Sequence, residues 1–301
     1  MGHDKRQEQP QHLNRSDPTG TADVVQARDV HGGVHFHGTT PAGRPTPRQL
    51  PGDVRNFVNR HDELTFLNGL LLDNPSEPSA VTLIVITGTA GVGKTSLALR
   101  WAHSVRPRFP DGQLYVNLKG YDPGPPTTPE QGLDRFLRAL DLPAAAIPAD
   151  VEERAAVYRS QLADRRMLIV LDNAATVSQV RPLLPGTASC LVIVTTRGRL
   201  SGLVARDGGQ RLTLDILPEP DAVALIRDVT VGYREGDRSA ELRELARLCA
   251  RLPLALRIAA ERAASRPHMP LTELIQDLRD ESALWDALTA ETDEEGDAVR
   301  T

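Results

Sequence analysis

Residues 88–95 read G-T-A-G-V-G-K-T, the spacing Gly-x4-Gly-Lys-Thr of a phosphate-binding loop. The glycines let successive backbone N–H groups curl around an anion, and the helix that follows aims its positive end at the same point. On this pattern Gly88, Thr89, Ala90, Gly91, Val92, Gly93, Lys94, Thr95 and Ser96 form the cradle of a nucleotide's phosphates. Lys94 reaches toward the β- and γ-phosphates, and the Thr95 hydroxyl is placed for Mg²⁺. Such a loop needs a second acid for its metal, and Asp172, at the end of M-L-I-V-L-D, is the candidate. Taken alone, Asp172 also fits a helix N-cap. Arg197 closes a later apolar run in T-T-R, where its planar fork of donors would suit a γ-phosphate, although a surface arginine fits there equally well. The residue after Asp172 is Asn173, an amide that cannot act as a general base. The chemistry implied is ATP or ADP binding with Mg²⁺ and at most slow ATP hydrolysis, with Lys94, Asp172 and Arg197 as its catalytic set.

These residues need a sheet to hold them. The runs at 81–86, 113–118, 167–172 and 190–197 are short, continuous and apolar, as strands buried on both faces should be, and 211–217 alternates as an edge strand would. Helical periodicity lies between them, near 59–73, after the phosphate loop, and at 129–141 and 150–164. Strands separated by helices predict an α/β fold: right-handed crossovers around a parallel sheet covered on both faces. Beyond Pro220 the strands stop and four helices are expected, near 219–229, 238–251, 253–265 and 271–288. In the second of these Leu242, Leu245, Leu248 and Leu252 form the expected apolar stripe. The expected organisation is a tail over 1–50, a nucleotide-binding domain over 51–218, a small helical domain over 219–288 and an acidic tail or linker over 289–301.

Composition narrows the partners. The net charge of −5 over 301 residues gives no long-range attraction to nucleic acid or to an anionic membrane. Only 4% of residues are aromatic, so the cores must be built from Leu, Val, Ile and Ala. No apolar run approaches membrane-span length, and the first ten residues hold no apolar core of the kind a secretory leader needs. Cys190 and Cys249 both sit in apolar segments and read as buried, reduced thiols, which points to a cytoplasmic setting.

Four segments in order, G-T-A-G-V-G-K-T, L-I-V-L-D-N-A, V-I-V-T-T-R and C-A-R-L-P-L-A-L, resemble the NB-ARC branch of the STAND nucleotide switches, over roughly Phe57 to Leu288. The resemblance implies an AAA+-like three-layer P-loop sandwich followed by a small helical domain. It also implies that Pro253, in R-L-P-L, lies against the adenine, as do Val58 and Arg60 from F-V-N-R, where Asn59 replaces the family's glycine. Members of that family hold ADP at rest, exchange it for ATP when activated, self-associate and recruit an effector. The winged-helix domain and repeat array of longer members are not matched within residues 1–301, so the expectation is either a protein that continues beyond Thr301 or a minimal member with its sensor elsewhere. Two other readings stay open: a P-loop ATPase or phosphotransferase with a metabolic substrate, and the ATPase module of a transcriptional regulator.

Within residues 24–38, V-V-Q-A-R-D-V-H-G-G-V-H-F-H-G, Val34 and Phe36 alternate with His35 and His37 as in a strand. The segment reads as a disordered tail, as a metal site through His31, His35 and His37, or as a stacking strand. It resembles the short amyloid-signalling motifs of bacterial NLR-like proteins, which implies an effector partner sharing the motif.

Overall fold

The computed structural model describes residues 46–54, 57–72 and 81–280, and everything below concerns those residues. Five parallel strands, β1 Thr82–Thr87, β2 Gln113–Asn117, β3 Leu168–Ala174, β4 Leu191–Thr196 and β5 Gln210–Thr213, form one sheet in the order β2-β3-β4-β1-β5. Helices precede and connect them: α1 His61–Leu72 before β1, then α2 Lys94–Val105, α3 Pro129–Ala139, α4 Val151–Leu162, α5 Val177–Val180 and α6 Ser201–Asp207.

The strand sequences explain the layering. Because side chains alternate across a strand, a run without polar residues must be covered on both sides. Leu83, Val85, Val192 and Val194 bury against α3 and α4 through Leu133, Phe136, Tyr158 and Leu162. The intervening Ile84, Ile86, Leu191 and Ile193 face the other way, onto Leu67 of α1 and Leu97, Ala98 and Trp101 of α2. Trp101 fixes that second layer further, since its indole N–H donates to Asn68 Oδ1 at 2.9 Å. On the first face the rings of Phe136 and Tyr158 stack with centroids 5.8 Å apart.

After the sheet come α7 Glu219–Thr230, α8 Ser239–Leu248, α9 Pro253–Ala264 and a further helix, α10, over 271–280. They enclose a separate core of Leu225, Ile226, Leu242, Leu245, Leu256 and Ala260. Two short segments join this core to the sheet layers. Leu252, just before α9, packs on the cluster around α2, and Val58, just before α1, packs on the helical core.

Three expectations are corrected. Leu248 is not part of the buried stripe of α8: it is 37% exposed, while Leu252 packs outside the helical core altogether. The edge strand β5 stops at Thr213, short of the expected 217. The end of the tail expected over 1–50 is instead tied to the sheet. Gln113 donates its N–H to the Pro47 carbonyl at 2.7 Å, Gln49 donates to the Gln113 carbonyl at 3.1 Å, and Leu50 packs on the α2 side of the sheet. The segments 24–38 and 289–301 lie outside the described residues. No described helix is long and apolar enough to cross a membrane.

Candidate functional site

The phosphate loop runs from the end of β1 into α2, at the carboxyl edge of a parallel sheet, where open α/β folds place their ligands. Two glycines are required there. Gly93 caps α2 at φ 97, a left-handed backbone that other residues adopt only under strain. A Cβ on Gly88 would stand 2.7 Å from the Leu214 carbonyl oxygen, in a segment anchored by the Leu214 N–H, which donates to the Thr87 carbonyl. The Lys94 ammonium donates to the carbonyls of Gly88 at 3.0 Å and Thr89 at 2.8 Å. Burial lowers its pKa first, the charge of Arg197 lowers it further, and Asp172 opposes both. A desolvated ammonium of that kind gains from an incoming phosphate.

Asp172 lies at the centre of a hydroxyl cluster. Its Oδ1 accepts from Thr95 Oγ1 at 2.8 Å and from Thr195 Oγ1 at 2.5 Å, and its Oδ2 accepts from Tyr115 at 3.1 Å. Burial, and then the Asp172 charge and hydrogen bond, push the Tyr115 phenol well above its usual pKa, so it remains a donor. A bulge between β3 and β4 aims this carboxylate. Leu171 pairs with Val194 but Ala174 with Thr196, so Asp172 and Asn173 oppose the single Thr195. Asn173 takes up the extra residue at φ 57, and its N–H donates to Thr195 Oγ1 at 2.9 Å.

A cleft of about 390 Å³ gathers Ala90, Gly91, Gly93, Lys94, Thr95 and Ser96 with Asp172, Arg197 and Pro253. A narrower chamber of about 40 Å³ adjoins it through shared walls at Val54, Gly93, Ser96, Pro253 and Arg257, and brings in Val58, Arg60 and Val92. Gly88 and Thr89 line neither space and act through the carbonyls that hold Lys94. Arg197 is exposed and stacks on Tyr121, its guanidinium carbon 4.9 Å from the ring centroid. Arg60 is buried and committed to protein partners: the carbonyls of Asp215 at 2.7 Å and Val92 at 3.3 Å, and the carboxylate of Glu63 at 2.7 Å. It therefore works as a brace between the chamber wall, the phosphate loop and the segment that leads from β5 to α7.

The helical part of the chain closes the cleft. Pro253 is the first residue of α9, and its ring lies 3.9 Å from where a Gly93 Cβ would be. The Leu254 N–H, one of the donors that a helix start leaves without an intrahelical partner, bonds to the Gly91 carbonyl at 3.2 Å. Asn59 adopts φ 54, a left-handed backbone that asparagine tolerates better than most residues, so the amide here does the conformational work of a glycine.

Sequence reasoning missed Val54, Tyr115, Asn117, Asp122, Thr195 and Arg257. Only Thr195 lies within one of the four motif segments, V-I-V-T-T-R. Tyr115 and Thr195 follow from strand register, since β2 and β4 flank Asp172. Arg257 follows from helical spacing, one turn beyond Pro253 on the same helix.

Residues 79–191 match the family model described as an AAA domain. The chain is 41% identical over 244 residues to the regulatory protein AfsR of Streptomyces griseus and 40% identical over 247 residues to AfsR of Streptomyces coelicolor. Both alignments cover 81% of this chain and 24% of the relative, so the chain spans about a quarter of their length. A nucleotide-binding leucine-rich repeat (NLR)-like protein of Hyaloscypha variabilis is 25% identical over 256 residues, 78% of this chain and 24% of that one. Among solved structures, the Aeropyrum pernix ORC2 protein in its ADPNP–ADP complexes is similar at TM-score 0.50 and 17% identity, covering 77% of this chain and 69% of that chain, a likeness of fold. The five-stranded parallel sheet, the phosphate loop at its carboxyl edge and the similarity to AfsR together make this chain a P-loop nucleotide-binding module that is STAND/NB-ARC-like.

Proposed function

We propose that this module is a signalling switch that holds ADP at rest and exchanges it for ATP when activated, with slow hydrolysis as the reset. The observation that carries the reading is the contact between the two halves of the cleft. The first turn of α9, through Pro253 and Leu254, rests directly on Gly93 and Gly91 of the phosphate loop. A nucleotide in this cleft would touch the loop on one side and α9 on the other. Its γ-phosphate would then bias how the helical part sits, which is the differential contact a two-state switch requires.

The residues present fit the metal that the loop implies. Thr95 and Asp172 offer hard oxygen donors beside Lys94, at the start of α2. They would hold Mg²⁺, which when bound offsets the phosphate charge. Lys94 and the loop amides would orient the phosphates, Val58 and Pro253 would cover the base, and Arg197 would meet the γ-phosphate from the end of β4.

The homology to a regulatory protein favours the ATPase module of a transcriptional regulator as the biological frame. Self-association in the ATP state and recruitment of an effector that shares the 24–38 motif belong to the same reading, as does a cytoplasmic location. Size-exclusion chromatography of the chain loaded with ADP or with a non-hydrolysable ATP analogue tests the switch. A larger species or a changed hydrodynamic radius with the analogue is expected; identical elution in both states overturns the switch while leaving nucleotide binding intact.

A further inference from the structure

Asp172 already accepts from three hydroxyls, among them the Thr95 hydroxyl that would share the metal, and Asn173 offers only an amide, so a different group is better suited to take a proton from water. Among the described residues, the other carboxylate that lines the cleft is Asp122. It lies in the loop after β2, and its position is specified in detail. The Leu118 N–H donates to the Asp172 carbonyl at 2.8 Å and the Gly120 N–H to the Asn173 carbonyl at 2.7 Å, which draws the loop over the end of β3. Gly120 is needed for that approach, since a Cβ would stand 2.4 Å from the Ala175 nitrogen. The far side of the loop is tied by buried Gln179, whose amide donates to the carbonyls of Leu118 at 3.2 Å and Thr127 at 3.1 Å.

A turn beginning at Lys119, φ 51, then presents Asp122 to two amides. Asn173 Nδ2 donates to Oδ1 at 2.7 Å and Asn117 Nδ2 to Oδ2 at 3.4 Å. Each oxygen keeps a second lone pair, and the side chain is half-buried, open to the cleft that holds Lys94, Thr95 and Arg197.

We infer that Asp122 is the acid that orients the attacking water for ATP hydrolysis, with Asn117 and Asn173 as the residues that position it. This rests on the nucleotide reading above. The water oxygen bonds to the γ-phosphorus as the bond from that phosphorus to the β,γ-bridging oxygen breaks, and its electron pair leaves with ADP. One water proton passes to the Asp122 carboxylate and then to solvent, and the products are ADP and inorganic phosphate. Asn173 thus serves hydrolysis indirectly, as the donor that holds the carboxylate in place.

The test compares the 301-residue chain with Asp122→Asn, which keeps the shape and an oxygen acceptor for Asn173 but loses the charge. Single-turnover hydrolysis of Mg²⁺-ATP should fall by about 100-fold, in the range expected for loss of a positioned general base. ADP affinity and thermal unfolding should stay as in the parent. A loss of less than about tenfold, or a loss matched by weaker ADP binding, overturns the inference. So does a parent chain that retains ADP yet hydrolyses ATP no faster than Lys94→Ala, and nucleotide holding then still stands. A parent chain that binds no nucleotide removes the underlying reading instead. Should Asp122→Asn fail to fold, Asp122→Ser takes its place with the same outcomes.

Discussion

The side-chain amide of Asn59 donates to the carboxylate of Asp221, joining the segment before α1 to the first turn of α7. The same residue holds a left-handed backbone at φ 54, and the next, Arg60, another at φ 78. Two successive residues in that region reverse the chain sharply. The turn brings Val58 onto the helical core and buries the Arg60 guanidinium against the carbonyls of Val92 and Asp215. The wall of the narrow chamber is therefore set by backbone conformation, with Asn59 as its pivot.

Substitutions at Asn59 should separate the backbone from the hydrogen bond. Asn59→Gly keeps the backbone and loses the bond to Asp221, a cost of about 1 kcal/mol. Asn59→Ala loses both, which adds about 1–2 kcal/mol of left-handed strain. Thermal unfolding should rank the parent above Gly and Gly above Ala. An alanine variant at least as stable as the glycine variant would show that the positive φ is not what constrains this position.

Gly88→Ala should be severe and Gly52→Ala mild. The first places a methyl 2.7 Å from the Leu214 carbonyl and 3.1 Å from Val92 Cγ1, and the second meets nothing within 4 Å. Overpacking of that kind costs about 1–3 kcal/mol, whereas a substitution in open space stays within about 0.5 kcal/mol. Urea unfolding midpoints measure both. Equal midpoints for the two variants would refute the close approach of the loop to the residues after β5.

The buried thiols predict a pH dependence. Burial pushes Cys190 and Cys249 from 9.0 up to about 11, so between those values the unfolded chain has lost thiol protons that the folded chain still holds. Stability then falls as pH rises wherever the unfolded state binds fewer protons, so this contribution is fully present below pH 9 and lost as pH climbs to about 11. Replacing both by alanine should flatten that part of the stability curve. Iodoacetamide at pH 8 should label neither thiol in the folded chain and both in urea; ready labelling without urea would place them at the surface.

Much of this arrangement was legible in the sequence because it depends on local rules. The octet at Gly88 needs only its own spacing, and V-T-L-I-V-I reads as a doubly buried strand because no polar residue interrupts it. Asp172 follows as the acid at a strand end. What was not legible depends on distant pieces meeting. Tyr115 and Thr195 reach Asp172 only once β2, β3 and β4 are in register. Asp122 sits in a Gly- and Pro-rich loop with no periodic signal, and hydrogen bonds to residues 118, 173 and 179 set its place. Leu248 fits the periodicity of α8 yet faces outward, because the pattern carries no information on where the packed surface ends. Asn59 stands where the resembling family has glycine, and its φ of 54 shows how the position tolerates the change.

The proposed switch requires this chain to grip a nucleotide between the phosphate loop and α9. Denaturing the purified chain and its Lys94→Ala variant, and quantifying the released nucleotide by ion-exchange chromatography, tests that claim most directly. About one ADP per chain from the parent and little or none from the variant is the predicted result. The same nucleotide content in both, or none in the parent even after incubation with Mg²⁺-ADP, would contradict it.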